Sequence, residues 1–204
     1  MKPSVSIVVL AAGEATRMAP SCGHKLLAMF DGMPLVRRSA LIAKASTAHS
    51  VIVVVGHRQD DIRGALTDLP VRIIGNPNYR AGMSSSLAAG FAAAVADRAD
   101  GVLILLADMP GVSTDNLNRL IDAFQVANGA AIVCAASEGM RGNPVILPRS
   151  LSDSVLSLRG DIGARDLIRT SGLQVIEVEI GAAAQTDVDT AEAIVAAGGI
   201  SVGD

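Results

Sequence analysis

The chain has 204 residues, of which half are hydrophobic and 18% are charged, and its formal net charge is −3. This composition excludes a largely disordered chain and allows a sizeable hydrophobic core. The acidic balance, together with only one Tyr, three Phe and no Trp, excludes a basic, base-stacking surface for nucleic acid.

Apolar runs alternate with helical patterns along the chain. Strands are predicted at 5–10, 51–55, 71–74, 101–106, 130–135, 145–147 and 173–178, in chain order. Helices are predicted at 34–46, 59–66, 84–97, 114–128, 161–170 and 189–197. Fully apolar strands separated by helices indicate a mostly parallel sheet with helices on both faces. We therefore predict an α/β fold, a Rossmann-like three-layer α/β/α sandwich, formed by a single domain over residues 1–204.

The cellular location is predicted from the cysteines and the N-terminus. Cys22 and Cys134 have no metal-like spacing and do not suggest a disulfide framework, which fits a reducing compartment. The apolar run at 5–10 is shorter than a signal peptide core or a membrane span. We expect a cytoplasmic protein with no membrane partner.

The candidate binding segments follow from the predicted sheet. Ligands of open parallel sheets bind outside the carboxyl ends of the strands. This rule selects four segments, at 11–25, 75–86, 107–110 and 139–144.

The first segment carries the features of an anion site. Ala11, Ala12 and Gly13 are small enough to let backbone N–H groups approach a phosphate, and Arg17 and Lys25 supply positive charge. The loop has neither the Gly-x-Gly-x-x-Gly fingerprint nor the Gly-Lys-Ser/Thr of a P-loop. On spacing alone, an ordinary turn with solvated charges remains open.

Other polar residues at this edge also have two interpretations. Asp108 ends a buried strand and suits a metal that faces a triphosphate, but a turn or helix-cap role is equally consistent. Asp187 and Asp189 form a second acidic pair, in which Asp189 is also a candidate cap of the last helix. The glycine and serines at 82–86 stand at a helix start, where anions bind and where serines also cap.

An ordered set of motifs gives the chain a family resemblance. The motifs are Leu10-Ala-Ala-Gly-x-x-x-Arg-Met18, Lys25-Leu-Leu27, Asp31-Gly-Met-Pro-Leu-Val36, Asn76-Pro-Asn-Tyr-Arg-Ala-Gly-Met-Ser-Ser-Ser-Leu87, Leu106-Ala-Asp-Met-Pro110, Arg141-Gly-Asn-Pro144, Gly160-Asp-Ile-Gly-Ala-Arg165 and Thr186-Asp-Val-Asp-Thr190. Together they resemble the MobA-like NTP transferases, of the nucleotide-diphospho-sugar transferase fold type. The chain is most similar to their molybdenum cofactor cytidylyltransferase (MocA-like) branch.

The resemblance implies a role for each matching residue. The implied catalytic residues are Arg17, Lys25 and Asp108. The implied nucleotide-binding residues are Leu10, Ala11, Ala12, Gly13, Arg17, Lys25, Gly82, Ser84, Ser85 and Asp108. The implied substrate-binding residues are Arg141, Gly142, Asn143, Asp161 and Arg165. Asp108 and Asp187 are the implied ligands of Mg²⁺.

The resemblance also implies an activity. It is transfer of NMP, with CTP favoured over GTP as the donor, to a phosphate of molybdopterin, with release of pyrophosphate. A sugar- or alditol-phosphate acceptor is one alternative, and a non-catalytic nucleotide-binding partner of a molybdoenzyme is another. Two departures from the family pattern bear on the site. Glu14 adds negative charge to the first loop, and the stretch from Arg17 to Lys25 is three residues longer than usual.

Overall fold

A computed structural model describes residues 2–15, 23–160 and 163–201. Its strands are β1 (Val5–Ala11), β2 (Met29–Phe30), β3 (Met33–Pro34), β4 (Ser50–Val55), β5 (Arg72–Gly75), β6 (Gly101–Leu106), β7 (Ile132–Ser137), β8 (Met140–Pro148) and β9 (Val175–Glu179). Its α-helices are α1 (Leu35–Lys44), α2 (Gln59–Ala65), α3 (Met83–Ala96), α4 (Thr114–Val126), α5 (Ser152–Ser157), α6 (Ala164–Thr170) and α7 (Ala191–Ala196). None of the helices within these ranges combines the length and the hydropathy that a bilayer span requires.

Seven strands form one central sheet in the order β5-β4-β1-β6-β8-β7-β9. All neighbouring pairs are parallel except the two that involve β8, which runs antiparallel to both β6 and β7. The prediction of a mostly parallel sheet between two helical layers is confirmed.

The helices cover both faces of this sheet. One hydrophobic core lies between the sheet and α1, α2 and α4, and it contains Ile7 and Val9 of β1. The other lies between the opposite face and α3, α5 and α6, and it contains Val8 of β1. Successive side chains of a strand point to opposite faces, so a fully apolar strand supplies both cores.

The structure contains elements that the sequence patterns did not predict. Helix α5 and the short β2–β3 hairpin are two of them, and Ile200 pairs with Met29 beside that hairpin. Phe30 of the hairpin packs with Ile194 of α7 and Val188 in a third small core. This core holds the C-terminal segment against the carboxyl edge of the sheet.

The segment at 139–144 also differs from its prediction. The sequence predicts a strand only at 145–147, but residues 140–148 form one continuous strand. Because β8 is antiparallel and its Val145 pairs with Ile104, residues 140–144 extend past the paired part of β6. They therefore reach the carboxyl edge as strand rather than as loop.

Candidate active site

A cleft of about 640 Å³ lies at the carboxyl edge of the sheet. It is bounded by the loop after β1, the start of α3, the end of β6 and the segment before α7. Its lining residues are Leu10, Ala12, Gly13, Glu14, Ala15, Lys25, Leu26, Tyr79, Arg80, Gly82, Met83, Ser86, Leu106, Asp108, Asp187 and Asp189. Three of the four segments that the sheet rule selected thus supply residues to this cleft.

Lys25 lies between two carboxylates at the base of the cleft. Its Nζ donates to Oδ2 of Asp108 at 2.5 Å and to Oδ1 of Asp189 at 2.6 Å. The Lys25 side chain is only 13% exposed and that of Asp108 16%. In this buried setting the two contacts hold the Lys25 amine in one place.

Among the described residues of this part of the cleft, acidic groups outnumber basic ones. Asp187 is the third carboxylate of the cluster, so in the described part of the chain the ammonium of Lys25 lies among three carboxylates. Burial raises the pKa of Asp108, and the charge of Asp187 adds to that rise, while Lys25 opposes it. Burial alone would lower the pKa of Lys25, but its bonds to Asp108 and Asp189 raise that pKa on balance. The three carboxylates of the cluster are groups whose negative charge a cation can neutralise.

The donor set fits a divalent metal ion. One ligand oxygen each from Asp108, Asp187 and Asp189 lies within 4.8 Å of the other two. Oδ1 of Asp108 is buried and has no hydrogen-bond partner among the described residues. Buried polar atoms without a partner are uncommon, and carboxylate oxygens are the ligands that Mg²⁺ and Mn²⁺ prefer.

The C-terminal segment brings Asp187 and Asp189 to the cluster. The N–H of Val188 donates to the backbone oxygen of Asp108 at 2.9 Å, which fastens the segment beside the end of β6. The interpretation of Asp189 as a helix cap is wrong, because Thr190 caps α7 by accepting from the Ala193 N–H. Asp189 is instead a partner of Lys25, a role that local spacing does not reveal.

The loop after β1 lines the cleft through Ala12, Gly13, Glu14 and Ala15. The carboxylate of Glu14 accepts from Nε of Arg80 at 2.9 Å, at the exposed mouth of the cleft. This ion pair offsets a charge that would otherwise repel phosphate.

The start of α3 forms the opposite wall. Ser86 lines the cleft, whereas Ser84 is buried and gives its N–H to Gly160. The hydroxyl of Ser85 accepts from the Asn76 side chain at 2.9 Å and lies 2.9 Å from the carbonyl oxygens of Asn78 and Gly82. Ser85 therefore braces this wall, and Ser86 is the serine that faces the cleft.

Of the implied acceptor-side residues, Arg141, Gly142, Asn143 and Arg165 are in the described part of the chain, and none of them lines this cleft. Arg141 pairs through Nε with Glu177 at 2.7 Å, and Gly142 packs against the backbone of Ala184. Arg165 is exposed on α6. Gly163, just before α6, approaches Met83 of the cleft wall.

Three further residues complete the comparison with the sequence. Arg17 and Asp161 lie outside the described residues, so their implied roles stay predictions. His24 is buried, only 4% exposed, and hydrogen-bonded on both ring nitrogens. No sequence signal marks it beyond its place beside Lys25.

Comparison with known proteins places this geometry among nucleotide-binding enzymes. Residues 7–176 match the MobA-like NTP transferase domain family. Nicotine blue oxidoreductase of Paenarthrobacter nicotinovorans is 30% identical over 196 residues, which are 93% of this chain and 94% of that protein.

Solved structures share the fold over nearly the whole chain. Rv0371c of Mycobacterium tuberculosis H37Rv has a TM-score of 0.81 at 23% identity, covering 97% of this chain and 98% of that one. The same protein was solved in complex with manganese, with a TM-score of 0.77 at 22% identity, covering 95% of this chain and 97% of that one. A nucleotidyl transferase from Methanothermobacter thermautotroptrophicus has a TM-score of 0.80 at 23% identity, covering 95% of both chains.

Proposed function

Because the chain belongs to the MobA-like NTP transferase family, we propose that it transfers CMP from CTP to a phosphate of a molybdopterin-type acceptor and releases pyrophosphate. The observation that carries the proposal is the Lys25 ammonium held between Asp108 and Asp189 in a cleft whose wall is the small-residue loop. A fixed ammonium beside a cluster of carboxylates suits a triphosphate bound together with a divalent cation.

In the proposed reaction, an oxygen of the acceptor phosphate attacks the α-phosphorus of CTP. The bond from that phosphorus to its bridging oxygen breaks, and the electron pair leaves with pyrophosphate. The protein's share of this chemistry is to hold the reacting groups in line and to supply fixed charge. Lys25 donates to the phosphate oxygens, and the backbone N–H groups of the loop after β1 bind the same anion.

Asp108, Asp187 and Asp189 would hold the divalent cation, proposed to be Mg²⁺. The cation's contribution is to offset negative charge on the phosphates as pyrophosphate forms. Arg17 is proposed as a second phosphate-binding cation.

The acceptor is proposed to bind on the side of the cleft that Met83 bounds. Gly163 lies against Met83, and α6, which carries the exposed Arg165, begins at the next residue. Arg141 reaches the carboxyl edge from β8. Arginines placed there suit a substrate with a terminal phosphate. Gly142, Asn143 and Asp161 are proposed to complete this acceptor side.

A second candidate function is an oxidoreductase activity on a compound related to nicotine blue. It is favoured by one observation, the similarity over 93% of the chain to a protein whose name is nicotine blue oxidoreductase. The loop after β1 lacks the dinucleotide-binding glycine fingerprint, which favours the transferase over this candidate.

The test incubates the purified chain with Mg²⁺ or Mn²⁺, each NTP in turn, and molybdopterin, a sugar phosphate or an alditol phosphate. Pyrophosphate release and the nucleotide product are both measured, with Lys25→Ala as the matched inactive control. The expected result is pyrophosphate and a cytosine dinucleotide product with CTP and molybdopterin only, and no release by Lys25→Ala.

Each other outcome selects a different function. Release that requires a sugar or alditol phosphate overturns the molybdopterin proposal and supports the sugar-nucleotide alternative. Tight NTP binding without turnover with any acceptor supports a non-catalytic partner. A parallel incubation with nicotine blue and NADH or NADPH tests the redox candidate, which is supported if nicotinamide oxidation occurs and no acceptor gives pyrophosphate release.

A further inference from the structure

His24 is a buried side chain that contacts both the loop after β1 and the turn that carries Lys25. Its Nδ1 lies 3.3 Å from the backbone N of Leu26, and its Nε2 lies 3.2 Å from the backbone oxygen of Gly13. Leu26 belongs to the 3-10 helix Lys25–Leu27, and His24 is the N-cap of that helix. One ring thus connects the loop after β1 to the turn that carries the lysine.

The two contacts define the form of the ring. A backbone N–H can only donate, so Nδ1 accepts and carries no proton. A carbonyl oxygen can only accept, so Nε2 carries the proton and donates to Gly13. The neutral Nε2–H tautomer satisfies both partners, and neither the other tautomer nor the imidazolium does.

The bond to Gly13 also orients the loop. The carbonyl of Ala12 accepts from the backbone N–H of His57 at 3.1 Å. The successive carbonyls of Ala12 and Gly13 are therefore both hydrogen-bonded, one to His57 and one to His24. Across a trans peptide the next N–H points the opposite way. The N–H groups of Gly13 and Glu14 therefore point away from the two histidines, and neither donates to a described residue. Both residues line the cleft.

The surroundings of His24 restrict its motion. Its ring stacks on that of His57, with centroids 5.7 Å apart and 29° between the planes. His57 in turn lies 6.1 Å from the ring of Tyr79. Gly56 has no room for a side chain, because a Cβ there would meet Tyr79 and Ala12. The loop after β1 therefore packs closely against His24, His57 and Tyr79.

We infer that His24 is a positioning residue that sets the phosphate-binding amides of Gly13 and Glu14 and the Lys25 turn as one unit. The ligand class, a triphosphate, rests on the proposed function, whereas the positioning rests on the two hydrogen bonds. His24 does not contact the phosphates itself. It acts through the loop and through the turn.

Two substitutions separate the two bonds. His24→Asn keeps an acceptor at the cap position and loses the bond to Gly13, and His24→Gln keeps a longer donor and loses the cap. His49→Asn is the matched control, because His49 is exposed and lies before β4 at the opposite edge of the sheet. Calorimetric titration with CTP and with inorganic triphosphate, both with Mn²⁺, measures the site.

We expect each His24 variant to bind both probes roughly tenfold more weakly, the order of effect for one lost hydrogen bond at a site. Inorganic triphosphate has no base, so an equal loss for both probes places the effect at the phosphates. Wild-type affinity in both folded variants overturns the inference. If one variant fails to fold, the other carries the test.

A second readout is independent of turnover and of the acceptor. A long-range ¹H–¹⁵N NMR spectrum of the wild-type ring is expected to show the neutral Nε2–H tautomer, and an Nδ1–H tautomer overturns the inference. Hydrogen exchange at the Leu26 amide is expected to stay slow in His24→Asn and to become faster in His24→Gln. Intact triphosphate binding without any transfer reaction overturns the proposed function but supports the role of His24.

Discussion

The ammonium of Lys25 lies 2.5 Å from Oδ2 of Asp108, although the two residues are 83 positions apart in the chain. Lys25 follows the loop after β1, and Asp108 follows β6, and these two strands are parallel neighbours. Parallel neighbours end at the same edge of a sheet, so the two side chains meet there. The activity proposed for the chain depends on this contact.

Removal of the Asp108 carboxylate is expected to abolish the metal-dependent reaction. Asp108→Ala should lower Mg²⁺-dependent pyrophosphate release by about 100-fold or more, because a bound metal is worth several kcal/mol to such a transition state. Circular dichroism should show an unchanged fold. Full activity of the variant would contradict the assignment, and Asp122→Ala, at an exposed position on α4, serves as the control.

The carboxylate of Asp108 is expected to lower the stability of the metal-free protein although the proposed activity requires it. Burial raises the pKa of Asp108, so the folded state keeps a proton that the unfolded carboxyl loses above its ordinary value of 3.8. Stability therefore falls as pH rises from 3.8 through the raised pKa that Asp108 has in the folded state. Asp108→Asn should raise the thermal midpoint at pH 7 without metal, measured by calorimetry. An unchanged or lower midpoint would contradict this.

Asp187 and Asp189 are expected to differ in their effects. Asp189 bonds Lys25 directly, whereas Asp187 completes the carboxylate cluster without that bond. Asp187→Asn should weaken Mn²⁺ binding at least about tenfold and leave nucleotide binding without metal unchanged. Asp189→Asn should weaken both.

Titration of Mn²⁺ by electron paramagnetic resonance, and of CTP by calorimetry, measures these two effects. Asp153→Asn on α5 is the control, since Asp153 is exposed and far along the chain from the cluster. Equal effects of Asp187→Asn and Asp189→Asn on metal-free nucleotide binding would contradict the distinction.

The Glu14–Arg80 pair at the mouth of the cleft is expected to modulate affinity for the triphosphate. Glu14→Gln should lower the KM for CTP roughly threefold at low ionic strength, because it removes an exposed negative charge near the phosphates. Arg80→Ala should raise the KM, and by less when Glu14 is already Gln. Kinetics at low and high salt check both. A salt-independent change would point to a steric cause instead.

Gly142 is expected to accept no side chain. A Cβ there would collide with the backbone carbonyl oxygen of Ala184, three residues before Asp187, and a backbone atom cannot swing aside as a side chain can. Gly142→Ala should therefore lower the free energy of unfolding by about 1–3 kcal/mol and lower Mn²⁺ affinity as the segment shifts. Urea titration and metal binding measure the two effects.

The matched control is Gly64→Ala in α2, where a Cβ meets nothing within 4 Å. That change should stabilise the protein by about 0.5–1 kcal/mol, since alanine favours a helix over glycine. Loss of stability at both glycines would show that the effect is not specific to the contact with Ala184.

The stability of the protein is expected to fall in acid through His24. Burial lowers the pKa of His24 below 6.5, and the charges of His57, Arg58 and Lys25 lower it further, while the Gly13 carbonyl opposes them. The unfolded chain thus binds a proton that the folded state resists, so His24 contributes stability above pH 6.5 that is lost as pH falls toward the folded pKa.

Thermal midpoints measured between neutral and mildly acid pH check this expectation. His24→Asn should show a smaller loss of midpoint over that range than the wild type, and His49→Asn the same loss as the wild type. Equal losses in all three proteins would assign the acid sensitivity to other groups.

The arrangement of the sheet followed closely from local patterns. Six of the predicted strands, at 5–10, 51–55, 71–74, 101–106, 130–135 and 173–178, lie within two residues of the observed ones at each end. Parallel strands buried on both faces must be apolar throughout, and that signal needs no knowledge of distant residues. The length of β8 was underestimated because its first residues, Met140 to Asn143, lack an apolar pattern. Its antiparallel direction depends on its pairing with β6 and β7, which a local pattern does not reveal.

The chain of motifs also indicated which residues to consider at the site. Lys25, Asp108 and Asp187 were named from the sequence, and the structure brings them to one cleft. Small residues after a buried strand and a carboxylate at a strand end are local features, which residue type and position reveal.

Contacts between distant residues decided the remainder. The bond from Lys25 to Asp189, the support of Gly13 by His24 and the pairing of Glu14 with Arg80 all join segments that only the folded sheet and the returning C-terminal segment bring together. Hydrogen bonds and ion pairs act over a few ångströms in space, whatever the separation along the chain. Spacing along the sequence could therefore identify the candidate groups, but the packing of the elements determined which of them are partners.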